Sequence, residues 1–335
     1  MSRPGPAETK LVLGGYHRFT LWRTPPELAA RVRERFPAMR VVDLPHYDKL
    51  PPELPDTDIF VGYLLRPEQL RLATRLKWVH STAAGVAQLM YPEMRNSGIT
   101  VTNASGVHAP AMAEHIVGMM VAVARDFPGS LRAKLGRRWA QQEIWDGPHR
   151  PHELGGETVL IVGFGAVGRA VAERVRAFGM RVWAVTRSGK ADPALAERVF
   201  SPAQLDEVLA EADYVVLAAP ETPETHHLLG AAQLAKMKST AFVVNVARGS
   251  LVDQDALIAA LERRAIAGAA LDVASPEPLP PESPLWALEN VFITPHTSGV
   301  SERVWVRQGD LLIDNLERWF NGQPLRNQVD LARGY

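Results

Sequence analysis

The chain has 335 residues, 46% hydrophobic and 22% charged, which is enough for two packed cores and has the balance of an ordinary soluble globular protein. Its 37 basic and 37 acidic residues cancel, which argues against nucleic acid or an acidic membrane surface as a partner. It has no cysteine, so disulfides, thiolate nucleophiles and Cys-ligated metals are excluded.

No apolar stretch of the kind a secretory leader carries follows Met1, and the longest apolar run, residues 116–124, is far short of the roughly 20 residues a bilayer needs. A cytoplasmic protein without a membrane partner is expected. Residues 10–13 read as a strand, and Pro25 and Pro26 open a helix that Pro37 stops. Short apolar runs then recur at 41–42, 59–61, 78–80 and 100–102, separated by helical or turn segments such as 66–70. The first hundred residues thus predict an open α/β unit with a largely parallel sheet. A helix over 109–125 carries Met112, Ile116, Met119, Met120 and Val123 near helical spacing, a core or interface stripe. A polar stretch with Trp139, Trp145 and several prolines follows over 127–151.

A second α/β repeat starts at Thr158. Strands are predicted over 159–163, 181–185, 214–218, 241–245, 267–271 and 291–294, six in all, as in a doubly wound sheet. The last helix, 302–320, comes after that repeat is complete and is expected to pack back on the first domain.

Between the first strand and helix of the second repeat lies Gly163-Phe164-Gly165-Ala166-Val167-Gly168. The first glycine permits a tight turn, the second lets a pyrophosphate approach the backbone, and the third lets helix and strand pack closely. The helix start, with Ala166 and Val167, offers free N–H groups and partial positive charge to phosphate. An NAD enzyme commonly carries an acid at the end of the next strand, for the ribose hydroxyls. Here that position reads Thr186-Arg187-Ser188, two hydroxyls and a guanidinium that suit a 2′-phosphate, so NADP(H) is favoured and NAD(H) is the alternative.

Three residues have the chemistry to reduce a 2-oxo acid. Arg248 follows an apolar strand and precedes Gly249, at the strand end where ligands of such sheets lie, and supplies a cation for a carboxylate. His296 is the natural proton donor to the ketone oxygen, and Glu277 would hold its tautomer through a hydrogen bond.

The ordered set resembles the D-isomer-specific 2-hydroxyacid dehydrogenase family over almost the whole chain. The resemblance rests on Asn245-Val246-Ala247-Arg248-Gly249, on Leu271-Asp272-Val273 with Glu277-Pro278-Leu279-Pro280, and on Thr294-Pro295-His296-Thr297-Ser298-Gly299. It implies that Arg248 binds the substrate carboxylate and carbonyl, His296 is the acid/base and Glu277 its partner. It further implies that Asp272 contacts the nicotinamide, that Pro220, Thr225, Ala247 and Gly299 line the nucleotide pocket, and that Ala84 and Gly85, in Ser81-Thr82-Ala83-Ala84-Gly85-Val86, present backbone N–H groups to the substrate. Thr186-Arg187-Ser188 is similar to members that reduce glyoxylate and hydroxypyruvate with NADPH.

The fold class expected is therefore α/β, two Rossmann-like doubly wound parallel-sheet domains with an active-site cleft between them. Residues 1–107 and 299–335 would form a flavodoxin-like substrate-binding domain, and 108–298 the dinucleotide-binding domain. The resemblance also implies a homodimer, with the helix over 109–125 between subunits and the Trp139 and Trp145 segment as an arm. Glu114 and His115 are expected as a buried, hydrogen-bonded pair. His149 with His152, and the adjacent His226 and His227, lack a carboxylate set and face apart on extended chain, so no metal is expected. Arginines 31, 33 and 35 read as the wet face of a helix. Loop side chains near Pro45-His46-Tyr47 and Trp286 would set substrate choice. A nucleotide-sensing binding protein that resembles the family's corepressors is the rival reading.

Overall fold

The structure, a computed structural model, describes residues 5–17, 19–148 and 150–334. His149 lies outside the described residues. The chain divides into two compact units, Met1–Val107 with Val300–Tyr335, and His108–Gly299.

In the first unit, β1 (Lys10–Leu13), α1 (Pro26–Arg35), β2 (Arg40–Asp43), β3 (Ile59–Gly62), α2 (Pro67–Leu72), β4 (Trp78–Ser81), α3 (Pro92–Arg95) and β5 (Thr100–Thr102) alternate along the chain. The strands form one parallel sheet in the order β2-β1-β3-β4-β5. Strands β1, β3 and β4 are buried along their length, which explains why they read as unbroken apolar runs.

The second unit opens with α4 (Ala109–Ala124), then α5 (Phe127–Leu135) and α6 (Gln141–Trp145). The polar stretch over 127–151 is thus largely helical. Asp126 begins α5, its carboxylate accepting from the Gly129 N–H at 3.0 Å. The α/β repeat follows as β6 (Thr158–Val162), α7 (Ala166–Ala177), β7 (Arg181–Val185), β8 (Arg198–Phe200), α8 (Leu205–Val208), β9 (Tyr214–Leu217), α9 (Ala231–Leu234), β10 (Phe242–Asn245), α10 (Gln254–Glu262), β11 (Gly268–Leu271) and β12 (Val291–Ile293). The sheet is parallel, in the order β12-β11-β10-β9-β6-β7-β8. Its strand order reverses between β6 and β9, the switch point where ligands of doubly wound sheets bind.

The sheet has seven strands where six were expected. The extra one, β8, is a three-residue edge strand beside β7. Helix α4 packs on this unit's core through Ala113, Ile116, Met120 and Ala124, against Ile161, Val171, Ala172 and Val175.

The last helix, α11 (Val304–Phe320), returns to the first unit. Leu312, Leu316 and Trp319 pack with Leu28, Val32 and Trp78, and the Trp319 and Trp78 rings stack with centroids 5.6 Å apart. Each such buried aliphatic side chain contributes about 1.5–3 kcal/mol. The arginines of α1 are more than a solvated face. Arg31 donates to Val306 O at 3.0 Å and pairs with Asp310, and Arg35 pairs with Glu317 at 2.6 Å, so they strap α11 onto α1.

Two further expectations need correction. Glu114 and His115 are not a mutual pair. Glu114 is exposed and bonds Arg174 at 3.2 Å, while the His115 ring lies against Thr294. His226 and His227 do not face apart, because His227 takes a left-handed φ of 49° and the two rings stack at 4.1 Å. His152 bonds the Tyr214 hydroxyl at 2.8 Å. Among the described residues no group of three His, Asp or Glu side chains could hold a metal ion, and no helix is long and apolar enough to cross a membrane.

Candidate active site

Turns at the carboxyl ends of β10, β11 and β12 carry the chemistry-bearing residues. After β10, Asn245 closes the turn upon itself: its Oδ1 accepts from Ala247 N at 3.1 Å and its Nδ2 donates to Arg248 O at 2.9 Å. Arg248 is exposed, and its Nη1 donates to Ala247 O at 2.6 Å. Among the described residues it forms no ion pair. Gly249 follows because nothing larger fits. A Cβ there would lie 2.0 Å from Ala274 O, so this glycine lets the turn after β10 touch the turn after β11.

His296 bonds Glu277 through Nδ1 and Oε2 at 2.7 Å. The other Glu277 oxygen accepts from Ala274 N at 3.1 Å, and Ser275 N is held by Gln254 Oε1 at 3.0 Å, so the loop bearing the carboxylate is pinned. With Nδ1 committed to an acceptor, the neutral ring carries its proton there, and Nε2 exchanges protons with whatever lies before it.

His296 has φ 55°, unusual for a non-glycine residue and costing on the order of 1 kcal/mol. Asp272 holds that turn. Its backbone O accepts from His296 N at 2.8 Å. Its carboxylate accepts from Thr294 Oγ1 at 2.5 Å, Thr297 N at 2.8 Å and Ser298 N at 2.9 Å. The side chain is fully buried, and His115 Nε2 reaches Thr294 Oγ1 at 2.9 Å. Sequence reasoning paired His115 with Glu114 and missed its actual partner, Thr294, 179 residues away. Gly299 O meets His108 Nδ1 at 3.1 Å, closing this stretch onto the start of α4.

At the switch point the glycine turn has the shape a pyrophosphate requires. Gly163 has φ 94°, and a Cβ on it would lie 2.5 Å from Ala219 N; one on Gly168 would lie 2.3 Å from Gly163 O. A Cβ on Gly165 would meet nothing within 4 Å, so the backbone there is open to a ligand. No side chain caps α7, which leaves the N–H groups of Ala166, Val167 and Gly168 without intrahelical acceptors. The residues present fit a dinucleotide phosphate.

Beyond β7, Thr186 Oγ1 and Ser188 Oγ both accept from Lys190 N, at 3.1 and 3.3 Å, and form a small hydroxyl-lined loop with Arg187 exposed beside it. Residues 186–190 contain no acid. Past β9, Thr225 Oγ1 donates to Pro220 O at 2.8 Å and accepts from Thr222 N at 2.8 Å, which shapes that loop.

In the first unit, the loop after β4 includes Ala84 and Gly85. Asn103 Nδ2 donates to Ala84 O at 2.7 Å. Among the described residues the N–H groups of Ala84, Gly85 and Val86 donate to no acceptor.

Residues 117–298 match the D-isomer specific 2-hydroxyacid dehydrogenase, NAD binding domain. The chain belongs to the D-isomer specific 2-hydroxyacid dehydrogenase family. Its oxidoreductase relatives include a glyoxylate reductase of Korarchaeum cryptofilum, 35% identical over 82% of this chain and 83% of that one. A D-3-phosphoglycerate dehydrogenase of Methanocaldococcus jannaschii is 30% identical over 85% of this chain and 54% of its own length. Among solved structures, a D-isomer specific 2-hydroxyacid dehydrogenase of Xanthobacter autotrophicus in complex with NADPH and MES superposes with TM-score 0.81 at 30% identity, covering 98% of this chain and 99% of that one. The expectation of two parallel-sheet α/β domains of this dehydrogenase family is met.

Proposed function

We propose that the protein reduces a small 2-oxo acid of the glyoxylate and hydroxypyruvate class to the D-2-hydroxy acid, with NADPH preferred over NADH. One observation carries the reading: His296 is bonded through Nδ1 to the pinned Glu277 carboxylate, 2.7 Å away, which leaves Nε2 to exchange a proton.

NADPH, when bound, supplies the hydride. The reduction places negative charge on the ketone oxygen, and His296 Nε2–H donates to it while Glu277 steadies the charged ring. Arg248, with no acid of its own, takes the substrate carboxylate and orients the carbonyl. Asp272, accepting three hydrogen bonds under the turn, holds His296 in place, and by resemblance it would also contact the nicotinamide. Ala84 and Gly85 offer their N–H groups to a carboxylate.

The pyrophosphate would lie on Gly163, Gly165, Ala166, Val167 and Gly168, with Pro220, Thr225, Ala247 and Gly299 along the nucleotide. Thr186, Arg187 and Ser188 would take the 2′-phosphate. Support for NADPH is the lack of an acid at 186–190, where an Asp would repel that phosphate, and the NADPH of the Xanthobacter structure.

The protein is proposed to act as a homodimer in the cytoplasm. Phe127, Leu131 and Leu135 lie at four-residue spacing on α5, all exposed, and Trp139 is 93% exposed. A row of that kind is suited to burial against a second copy. Light scattering that gives a monomer mass would reject this part.

Steady-state kinetics on glyoxylate, hydroxypyruvate and the 2-oxo form of 3-phosphoglycerate, each with NADPH and NADH, tests the substrate and cofactor together. The first two substrates with NADPH should give the highest kcat/KM. If Arg187→Asp leaves the NADPH to NADH ratio unchanged, the cofactor reading fails.

A further inference from the structure

The loop over 82–86 is built with its carbonyls tied and its amides free. Thr82 O accepts from Gln308 Nε2 at 2.6 Å, Ala83 O from Ala104 N at 3.0 Å, and Ala84 O from Asn103 Nδ2 at 2.7 Å. The carbonyl of one residue and the N–H of the next share a rigid plane and point in opposite directions. Fixing Ala83 O therefore aims the Ala84 N–H, and fixing Ala84 O aims the Gly85 N–H. Gln308 holds the plane before them, whose N–H, that of Ala83, is occupied by Ser81 Oγ at 3.2 Å.

Both side-chain amides are buried, with Asn103 8% and Gln308 2% exposed, and both orientations are determined. Asn103 Oδ1 accepts from Ser105 N at 3.0 Å, so its donor end faces Ala84; the donor end of Gln308 is the one that can meet a carbonyl. Gln308 Oε1 meets no donor among the described residues, so its polarity in the first unit's core is used on Thr82 alone. A leucine would fill that place with no polar atom to bury.

We propose that Asn103, which aims the Gly85 N–H, and Gln308, which fixes the peptide plane leading into the Ala84 N–H, are positioning residues that preset this loop for the carboxylate of the 2-oxo acid. This inference rests on the proposed role of that loop. It makes Asn103 the more sensitive site, since the plane it fixes carries one of the two donors. The interaction is with the carboxylate, which does not change during reduction, so its loss weakens substrate binding and leaves the chemical step nearly intact.

The experiment compares wild type with Asn103→Ala, Asn103→Asp and Gln308→Leu, using oxalate affinity by calorimetry and KM and kcat by NADPH oxidation. Each variant should weaken oxalate and raise the 2-oxo acid KM by roughly five- to twentyfold, with the NADPH KM held. Asn103→Asp should be at least as damaging as Asn103→Ala, because an aspartate cannot donate to Ala84 O; a shape-filling role would make the isosteric Asp the milder change. Unchanged oxalate affinity in soluble, folded variants overturns the proposal, as does a wild type that binds no oxalate. A wild type that binds oxalate but turns over no 2-oxo acid refutes the proposed reaction and leaves the oxalate comparison to decide the positioning roles.

Discussion

His296 Nδ1 and Glu277 Oε2 lie 2.7 Å apart, and the second Glu277 oxygen is already held by Ala274 N. The carboxylate thus has one role left, to hold the imidazole with Nε2 available. Glu277→Gln keeps a group of the same shape and removes the charge that stabilises the ring when it is protonated. It should lower kcat about ten- to a hundredfold with little change in NADPH affinity, read by single-turnover kinetics and fluorescence titration.

Asp272 accepts three hydrogen bonds while fully buried, and through them keeps His296 in its left-handed conformation. Asp272→Asn would set an amide donor against an N–H or O–H donor. The variant should lose about 2–3 kcal/mol in urea unfolding and also lose activity. Thr294→Val, which removes the hydroxyl between Asp272 and His115, should show a smaller loss of the same kind.

Gly249 has no room for a methyl group, since a Cβ would come within 2.0 Å of Ala274 O. Gly249→Ala must push the Arg248 turn away from the loop that bears Glu277. A drop in kcat/KM of at least a hundredfold is expected, with NADPH binding retained, in steady-state assays of the purified variant.

His80, in β4, is fully buried, and burial depresses its pKa from 6.5 to about 4. Trp78 Nε1 donates to Thr102 Oγ1 at 2.8 Å, which leaves the Thr102 proton for His80 Nδ1, also at 2.8 Å. Below pH 6.5 the unfolded chain takes up a proton that the folded one refuses, so stability falls as pH drops from 6.5 towards 4, by up to roughly 3 kcal/mol from this one group. His80→Asn should flatten that acid-side decline when urea unfolding is followed across the same range.

Much of this architecture was legible in the chain because parallel strands buried on both faces leave unbroken apolar runs, and Gly163 and Gly168 sit where a Cβ would clash with backbone. The return of the last helix followed from its place after a completed repeat. What escaped was fixed by distant partners. Strand β8 is three residues long and exists through pairing with β7. His115 gains its place from Thr294, and Asp272 is explained by amides two turns further on, none of which leaves a periodic mark. The helices over 127–145 were obscured by prolines, tryptophans and charge, although Pro128 sits in the first turn of α5, where a missing N–H is tolerated.

The central claim is that His296, steadied by Glu277, protonates a 2-oxo acid as hydride arrives. The direct measurement is the consumption of NADPH with glyoxylate by wild type and by His296→Asn. The account predicts sustained turnover in the wild type and a loss of about a thousandfold or more in the variant, with NADPH still bound. A wild type that binds NADPH but consumes none with any 2-oxo acid, or a variant as fast as wild type, would contradict it.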